Sequence, residues 1–226
     1  MFVKIIAILV ILAVAVVPVA MGEVADEGQT VEMLIINAAS TSASRDQNMF
    51  ALENIENEVG RGNTGSGIYA ALERLLLAGT RNRIVSSGHV VNDFPDVRQA
   101  AARQLGELGT EEARAILLRA GLSEREPLVL HEIIAAIGSI DSEDNAQTVS
   151  TIVWVANRFH RSPAPSNHVA LATVNALDSI SGMDGGITNP GALEYLFNVA
   201  NGPYALFIRE RAWEIIDSLR GSAEEG

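Results

Sequence analysis

"FPDVRQAAARQLGELG", residues 94–109, carries the signals of a helix with well-defined ends. Pro95 suits the first helical turn, where its missing N–H costs nothing. Gly109 suits the end, where a left-handed residue is favoured. Apolar residues spaced 4, 4 and 3 positions apart share one helical stripe between these ends: Val97, Ala101, Leu105 and Leu108. The stretch therefore predicts an amphipathic helix without a reactive group.

The same spacing occurs three more times downstream, and the starts of the four stripes lie 32, 40 and 39 residues apart. The later stripes are Val129, Ile133, Ile137 and Ile140; Val169, Thr173, Leu177 and Ile180; and Ile208, Ala212, Ile216 and Leu219. Pro127 and Gly138 also occupy the places of Pro95 and Gly106. A helical repeat of this length indicates a solenoid, because one unit needs a neighbour to bury its apolar stripe.

A second helix follows each of the first three stripes. "TEEARAILLRAG", residues 110–121, begins with Thr110 as a predicted N-cap and has two glutamates in its first turn. "NAQTVSTIVWVANRFH" at 145–160 and "NPGALEYLFNVANG" at 189–202 are the equivalent segments. The repeating unit is therefore predicted to be a helical hairpin.

These hairpins resemble the HEAT-repeat family, whose repeats carry an acidic or proline start, a valine, an alanine-rich turn and Leu-Gly-x-Leu/Ile-Gly. "PDVRQAAARQLGELGTEEA" and "EPLVLHEIIAAIGSID" match this pattern, whereas the third and fourth repeats match only in apolar spacing, with Asp178 and Asp217 replacing the glycine. The resemblance covers residues 94–221. It implies an all-α fold, a right-handed α-solenoid of HEAT-like helical hairpins whose second helices line the concave side.

The region upstream, residues 23–93, is predicted to be a degenerate helical region followed by an irregular connection. Its candidate helices lie near 30–39, 45–59 and 66–78. The connection, "GTRNRIVSSGHVVNDF" at 79–94, is either a functional loop or a short extra helix packed under the first good repeat. Residues 222–226 are predicted to form an acidic tail.

The N-terminal segment, residues 1–22, has the layout of a secretory signal. Lys4 precedes an uncharged run over residues 5–21, and small residues follow Pro18. Cleavage is expected after Gly22 or Ala20, which places the protein in the periplasm or cell envelope of a bacterium. An uncleaved membrane anchor is the alternative reading of this segment.

The net charge of −12 and the pI near 4.7 argue against nucleic acid as a partner, because phosphate binding requires a basic surface. The absence of cysteine excludes disulfides, thiolate metal sites and thiol catalysis. The composition therefore directs attention to protein partners.

No motif in the chain predicts a catalytic, cofactor or metal site. "GRGNTG" at 60–65 follows an acidic helix where a dinucleotide fingerprint requires a strand, so an interhelical loop is expected. "HEIIA" at 131–135 lacks the second histidine of a zinc motif. His160 and His168 flank one loop and are candidates to approach each other, but two histidines do not make a metal site.

The remaining candidate is a protein-binding surface on the second helix of the second repeat. Trp154, Arg158 and Arg161 lie there, and Arg81 and Arg83 in the connection are predicted to extend a positive spot. Tryptophan and arginine are the commonest binding anchors. An acidic segment of a partner is the expected ligand. The competing interpretation places Trp154 and Phe159 in the core, as large aromatic residues usually are.

The sequence as a whole predicts an exported, non-enzymatic protein-protein interaction scaffold without cofactors. Two alternatives remain open. One is a HEAT-like enzyme of lyase or cofactor-attachment type, because fold does not determine function. The other is a membrane-tethered scaffold that retains residues 1–22.

Overall fold

The computed structural model describes residues 30–142, 145–183 and 189–224, and the predicted signal segment at 1–22 lies outside these ranges. Within them the chain forms ten helices and one two-stranded sheet. In chain order these are α1 (Val31–Ser40), α2 (Arg45–Gly60), α3 (Ser66–Leu77), β1 (Val85–Ser86), β2 (His89–Val90), α4 (Pro95–Leu108), α5 (Glu111–Gly121), α6 (Pro127–Gly138), α7 (Asn145–His160), α8 (Asn167–Ser181), α9 (Pro190–Ala200) and α10 (Leu206–Glu224). None of these helices combines the length and the apolar character that crossing a membrane requires.

The four apolar stripes lie in one continuous core. Fourteen of their sixteen residues are buried, and Leu108 and Leu219 are partly buried against that core. The only polar member, Thr173, is fully buried and donates its hydroxyl to the carbonyl of Val169, 2.8 Å away. The predicted repeat register and the all-α solenoid architecture are therefore confirmed.

The helices stack in two rows. The first helices of the repeats, α4, α6, α8 and α10, pack against one another in order, and α5, α7 and α9 form the second row. The hairpin of α2 and α3 extends both rows towards the N-terminus, where α1 packs against it. At the other end, α10 continues through Glu224 into the segment predicted to be a tail.

Two glycines allow successive first helices to approach closely. A Cβ on Gly106 would lie 2.8 Å from the Cβ of Ala136, and a Cβ on Gly138 would lie 2.7 Å from the Cβ of Ala176. The third repeat has Asp178 at the corresponding place, and its carboxylate pairs with Arg211 of α10. The glycine of the repeat pattern is therefore required for close packing of neighbouring helices. Where Asp178 takes its place, an ion pair joins the two helices instead.

Helix ends follow the local signals of the sequence. Gly109 has the left-handed φ of 62° that ends α4, and the Thr110 hydroxyl accepts a hydrogen bond from the amide of Ala113 to begin α5. Ser166 and Asn189 cap α8 and α9 in the same way. These caps satisfy amides that the first turn of a helix leaves without a partner.

The connection between α3 and α4 contains a β-hairpin, so the predicted alternative of an extra helix packed under the first repeat is wrong. β1 and β2 pair antiparallel through a two-residue turn, Ser87-Gly88, with φ values of 51° and 81°. Positive φ at both turn residues is what a type I′ hairpin turn requires. Residues 81–90 are exposed throughout, so the hairpin projects from the helical array.

We expect Ile137→Asp to destabilise the array by about 4 kcal/mol or more, because it places an unpaired carboxylate in a fully packed core. Ile137 is buried on α6, whereas Ala135 on the same helix is exposed. Ala135→Asp is therefore the matched control and should melt close to wild type. Thermal unfolding followed by circular dichroism gives the comparison. Equal melting of the two variants would contradict the repeat register.

Candidate functional site

The β-hairpin is anchored to the array at its base. Asn92, a buried residue, donates to the carbonyl of Asn82 and accepts from the amide of Ile84, with both distances at 2.8 Å. Gly79 has a φ of 73°, and a Cβ there would lie 2.5 Å from the Cα of Asp93. The two ends of the connection are thus held together, and the hairpin projects from a fixed base.

A buried arginine ties this base to the turn between α5 and α6. The Nε atom of Arg98 donates to Glu124 at 2.9 Å, and its Nη1 atom donates to the carbonyl of Ala78 and to Asp93 at 3.1 and 2.5 Å. The side chains of Arg98 and Glu124 are only 3% and 2% exposed. Because both charges are buried and paired, this network has a structural role in positioning three chain segments.

Glu124 also orders the start of α6. Its Oε1 atom accepts hydrogen bonds from the backbone amides of Arg125 and Glu126, both at 2.8 Å. One carboxylate thus neutralises Arg98 and holds the turn that carries Arg125. The position of the Arg125 backbone is fixed, while its side chain is exposed.

Arg158 reaches the same turn from α7. Its guanidinium donates to the carbonyls of Leu122 and Glu124, at 2.8 and 2.6 Å, and lies over the Trp154 ring with 5.2 Å to the ring centroid. Burial lowers the pKa of Arg158 from its ordinary value, and repulsion from Arg125 lowers it further. Arginine nevertheless keeps its charge in proteins, so Arg125 and Arg158 are two like charges that repel each other here.

These segments enclose a cleft of about 420 Å³, which we call the arginine cleft. It is lined by Gly79, Thr80, Arg83, Asp93, Pro95, Arg98, Leu122, Ser123, Glu124, Arg125, Glu126 and Arg158. Four arginines and three carboxylates line the cleft, and two of the carboxylates, Asp93 and Glu124, pair with the buried Arg98. Within the described residues the Arg125 side chain makes no hydrogen bond or ion pair. The cleft therefore offers guanidinium donors to an anionic group.

The structure brings together only part of the predicted binding surface. Arg83 and Arg158 line the cleft, with the Nε atom of Arg83 donating to the carbonyl of Thr80 at 2.9 Å. Arg81 and Arg161 are exposed but are not among the lining residues. Arg125 was missed, because its contribution depends on the turn between two repeats and not on a helical face.

Trp154 is 54% exposed, so the interpretation of this residue as core is wrong. It precedes the buried Val155 and Ala156 and faces outward on α7, where Arg158 stacks on it one turn later. Phe159 packs partly against the core, as expected. Tryptophan is usually buried, but the position of Trp154 on α7 relative to the apolar stripe determines that its side chain is exposed.

The histidines pair differently from the expectation. His160 Nδ1 lies 2.8 Å from the hydroxyl of Tyr204, while His168 instead approaches His131, with 6.1 Å between the ring centroids. Burial raises the pKa of the Tyr204 hydroxyl to about 12. In the described ranges no three histidine or carboxylate side chains converge to hold a metal ion.

The glycine-rich stretch at 60–65 joins α2 to α3, as expected of an interhelical loop. Glu58 accepts from Asn63 at 3.1 Å and pairs with Arg61. Both contacts lower the pKa of the Glu58 carboxyl, the hydrogen bond from Asn63 most strongly. The stretch is therefore organised by contacts within the protein.

We expect Arg98→Met to destabilise the protein by about 3–5 kcal/mol, because it leaves the buried Glu124 carboxylate without its partner. The matched control is Arg103→Met on the same helix, since Arg103 is exposed and pairs with Glu132 near the surface. Its loss should cost less than about 1 kcal/mol. Chemical denaturation measures both. A similar loss in the two variants would contradict the structural role of Arg98.

Comparison with known proteins agrees with this architecture. The family model of HEAT repeats matches residues 90–161, which span β2 through α7 and end just beyond that helix. No curated protein and no solved structure matches the chain. HEAT repeats are in general elements of protein-interaction scaffolds. The stacked helical hairpins and the family match agree that residues 90–161 resemble HEAT repeats.

Proposed function

We propose that the protein is an exported, non-enzymatic scaffold that binds an acidic segment of a partner protein in the arginine cleft. The observation that carries this proposal is the grouping of Arg83, Arg125 and Arg158 around one cleft in a chain whose net charge is −12. Guanidinium groups bind carboxylates through charge-assisted hydrogen bonds. The screening length at physiological salt is roughly 8 Å, so a partner at the cleft senses these arginines more than the distant acids.

The surroundings of the cleft supply apolar contacts for the same partner. Val85 of β1 is exposed, as are Ile84 and Val90 beside it, and Trp154 lies exposed under Arg158. Tryptophan and arginine together are frequent anchors of protein interfaces. The segment that suits this site combines carboxylates with one or two apolar side chains.

The role of each arginine follows from its contacts. Arg158 already donates to two backbone carbonyls, so its removal would disturb the turn as well as any binding. Arg125 is the donor with the most freedom to bind, and Arg83 keeps its two Nη atoms available after donating Nε to Thr80. Variants of Arg83 and Arg125 therefore test binding with the least effect on the fold.

Replacing Arg83 and Arg125 by glutamate together should weaken partner binding at least about tenfold at low salt, and by less at high salt. The partner is first identified by placing a photo-crosslinking residue at Val85 and analysing the adducts by mass spectrometry. Isothermal titration calorimetry with that purified partner then measures the affinity.

The matched control replaces Arg81 and Arg161 by glutamate. This variant has the same change in net charge, but neither residue lines the cleft. This control should bind within about twofold of wild type. If both pairs weaken binding equally, only overall charge matters and the cleft is not the site.

Export is the second part of the proposal and rests on Lys4, the uncharged run at 5–21 and the small residues that follow it. We expect the mature chain to begin near Glu23 and to occur in the soluble fraction of the cell envelope. Intact mass measurement of the protein purified from its native cells tests this. Recovery of the intact residues 1–22 on membrane-bound protein would favour the anchor instead.

A further inference from the structure

A second surface of opposite charge lies between α2 and α4. This acidic groove encloses about 500 Å³ and is lined by Asp46, Met49, Phe50, Leu52, Glu53, Glu56, Ala100, Arg103, Gln104 and Glu107. Four of these ten residues are carboxylates. The groove lies apart from the arginine cleft, and the two share no lining residue.

The arginine that lines the groove forms its ion pair with a carboxylate outside it and attracts Glu107 of the groove more weakly. Arg103 donates from Nε to Glu132 of α6 at 3.0 Å, so a carboxylate outside the groove occupies that guanidinium. Within the described residues, Glu53, Glu56 and Glu107 make no side-chain hydrogen bond or ion pair. Three carboxylates are therefore free to accept hydrogen bonds from a ligand.

The groove also has an apolar component and a buried acceptor. Phe50 is 50% exposed and Met49 is 36% exposed, which is unusual for side chains of this kind. The amide of Gln104 donates to the carbonyl of Leu52 at 3.1 Å, while its Oε1 atom is buried without a hydrogen-bond partner. The hydrogen bond to Leu52 joins α4 to α2 beside the groove.

The arrangement of the carboxylates selects the class of ligand. In the described part of the chain no three carboxylates converge to hold a metal ion, so the groove presents separate acceptors and not a coordination site. Separate acceptors beside exposed Met49 and Phe50 suit several cationic side chains and an apolar one on the same segment. Nucleic acid and anionic membranes carry the wrong sign of charge.

We propose that the acidic groove binds a segment of a second partner protein that carries lysine or arginine beside apolar residues. Its cations pair with Glu53, Glu56 and Glu107, and its apolar side chain packs on Met49 and Phe50. With the arginine cleft binding an acidic segment, the chain would connect two partners of opposite charge. The proposal for the groove does not depend on the proposal for the cleft, because the two surfaces consist of different residues.

The test uses a short fluorescent peptide in which lysine and leucine recur at helical spacing, titrated onto the purified protein and followed by anisotropy. Replacing Glu53, Glu56 and Glu107 by glutamine should weaken binding about tenfold at low salt, since each partly exposed ion pair contributes modestly. Phe50→Ser should weaken binding without changing its salt dependence, because it removes only apolar contact.

The matched control replaces three exposed carboxylates outside the groove by glutamine, namely Glu112, Glu194 and Glu210. This control should bind as wild type does, and all variants should keep the wild-type melting temperature. The Arg83 and Arg125 variant should also bind the peptide normally, which separates this test from that of the cleft.

The proposal would be overturned if the groove variant and the control variant lost peptide affinity equally. It would also be overturned if the wild-type protein did not bind the peptide at low salt. Self-association that the groove variant abolishes in analytical ultracentrifugation would overturn it as well, because the occupant would then be a second copy of the chain.

Discussion

Close approach of successive first helices is the constraint on which the array depends. Gly106 lies against Ala136, and Gly138 lies against Ala176, at distances that leave no room for a Cβ on either glycine. A side chain there would push the neighbouring helices apart and open the stripe of buried residues between them. The contact has a different form at the third repeat, where Asp178 pairs with Arg211. The array therefore passes from apolar close packing in its two matched repeats to an ion pair between its third and fourth repeats.

Burial of Arg98 organises the charges around the cleft. Arg98 pairs with two of the three carboxylates that line the cleft, Asp93 and Glu124, which leaves fewer carboxylates to pair with the other arginines of the lining. The same Glu124 holds the backbone of the turn that presents Arg125. A structural ion pair in the interior thus determines which cations remain available at the surface. The strongly acidic composition of the chain does not cancel this local excess, because salt screens distant charges more than near ones.

The sequence alone predicts the helical repeats, but it does not predict all the residues of the candidate binding surface. Helical periodicity depends on neighbours within one helix, so stripe residues such as Leu105 and Ile137 could be placed in the core from their spacing alone. The hairpin at 85–90 had a local signal, a Ser-Gly turn between two β-branched stretches, which the length of the connection obscured. Arg125 had no such signal, since its role arises from the packing of α7 and the connection around one turn. Residue type alone favours a buried Trp154, whereas its position on the helix agrees with the surface candidate, and the side chain is exposed.

The helix α4 shows how a segment without reactive groups contributes to function. Val97, Ala101 and Leu105 face the core, Arg98 faces the connection and the cleft, and Ala100, Gln104 and Glu107 line the acidic groove. Residues three or four apart share a helical face, and adjacent residues point about 100° apart, so one helix presents these three surfaces at once. The well-defined ends of α4 matter for this reason. A frayed or shifted helix would move both candidate binding surfaces together with the core stripe that holds them.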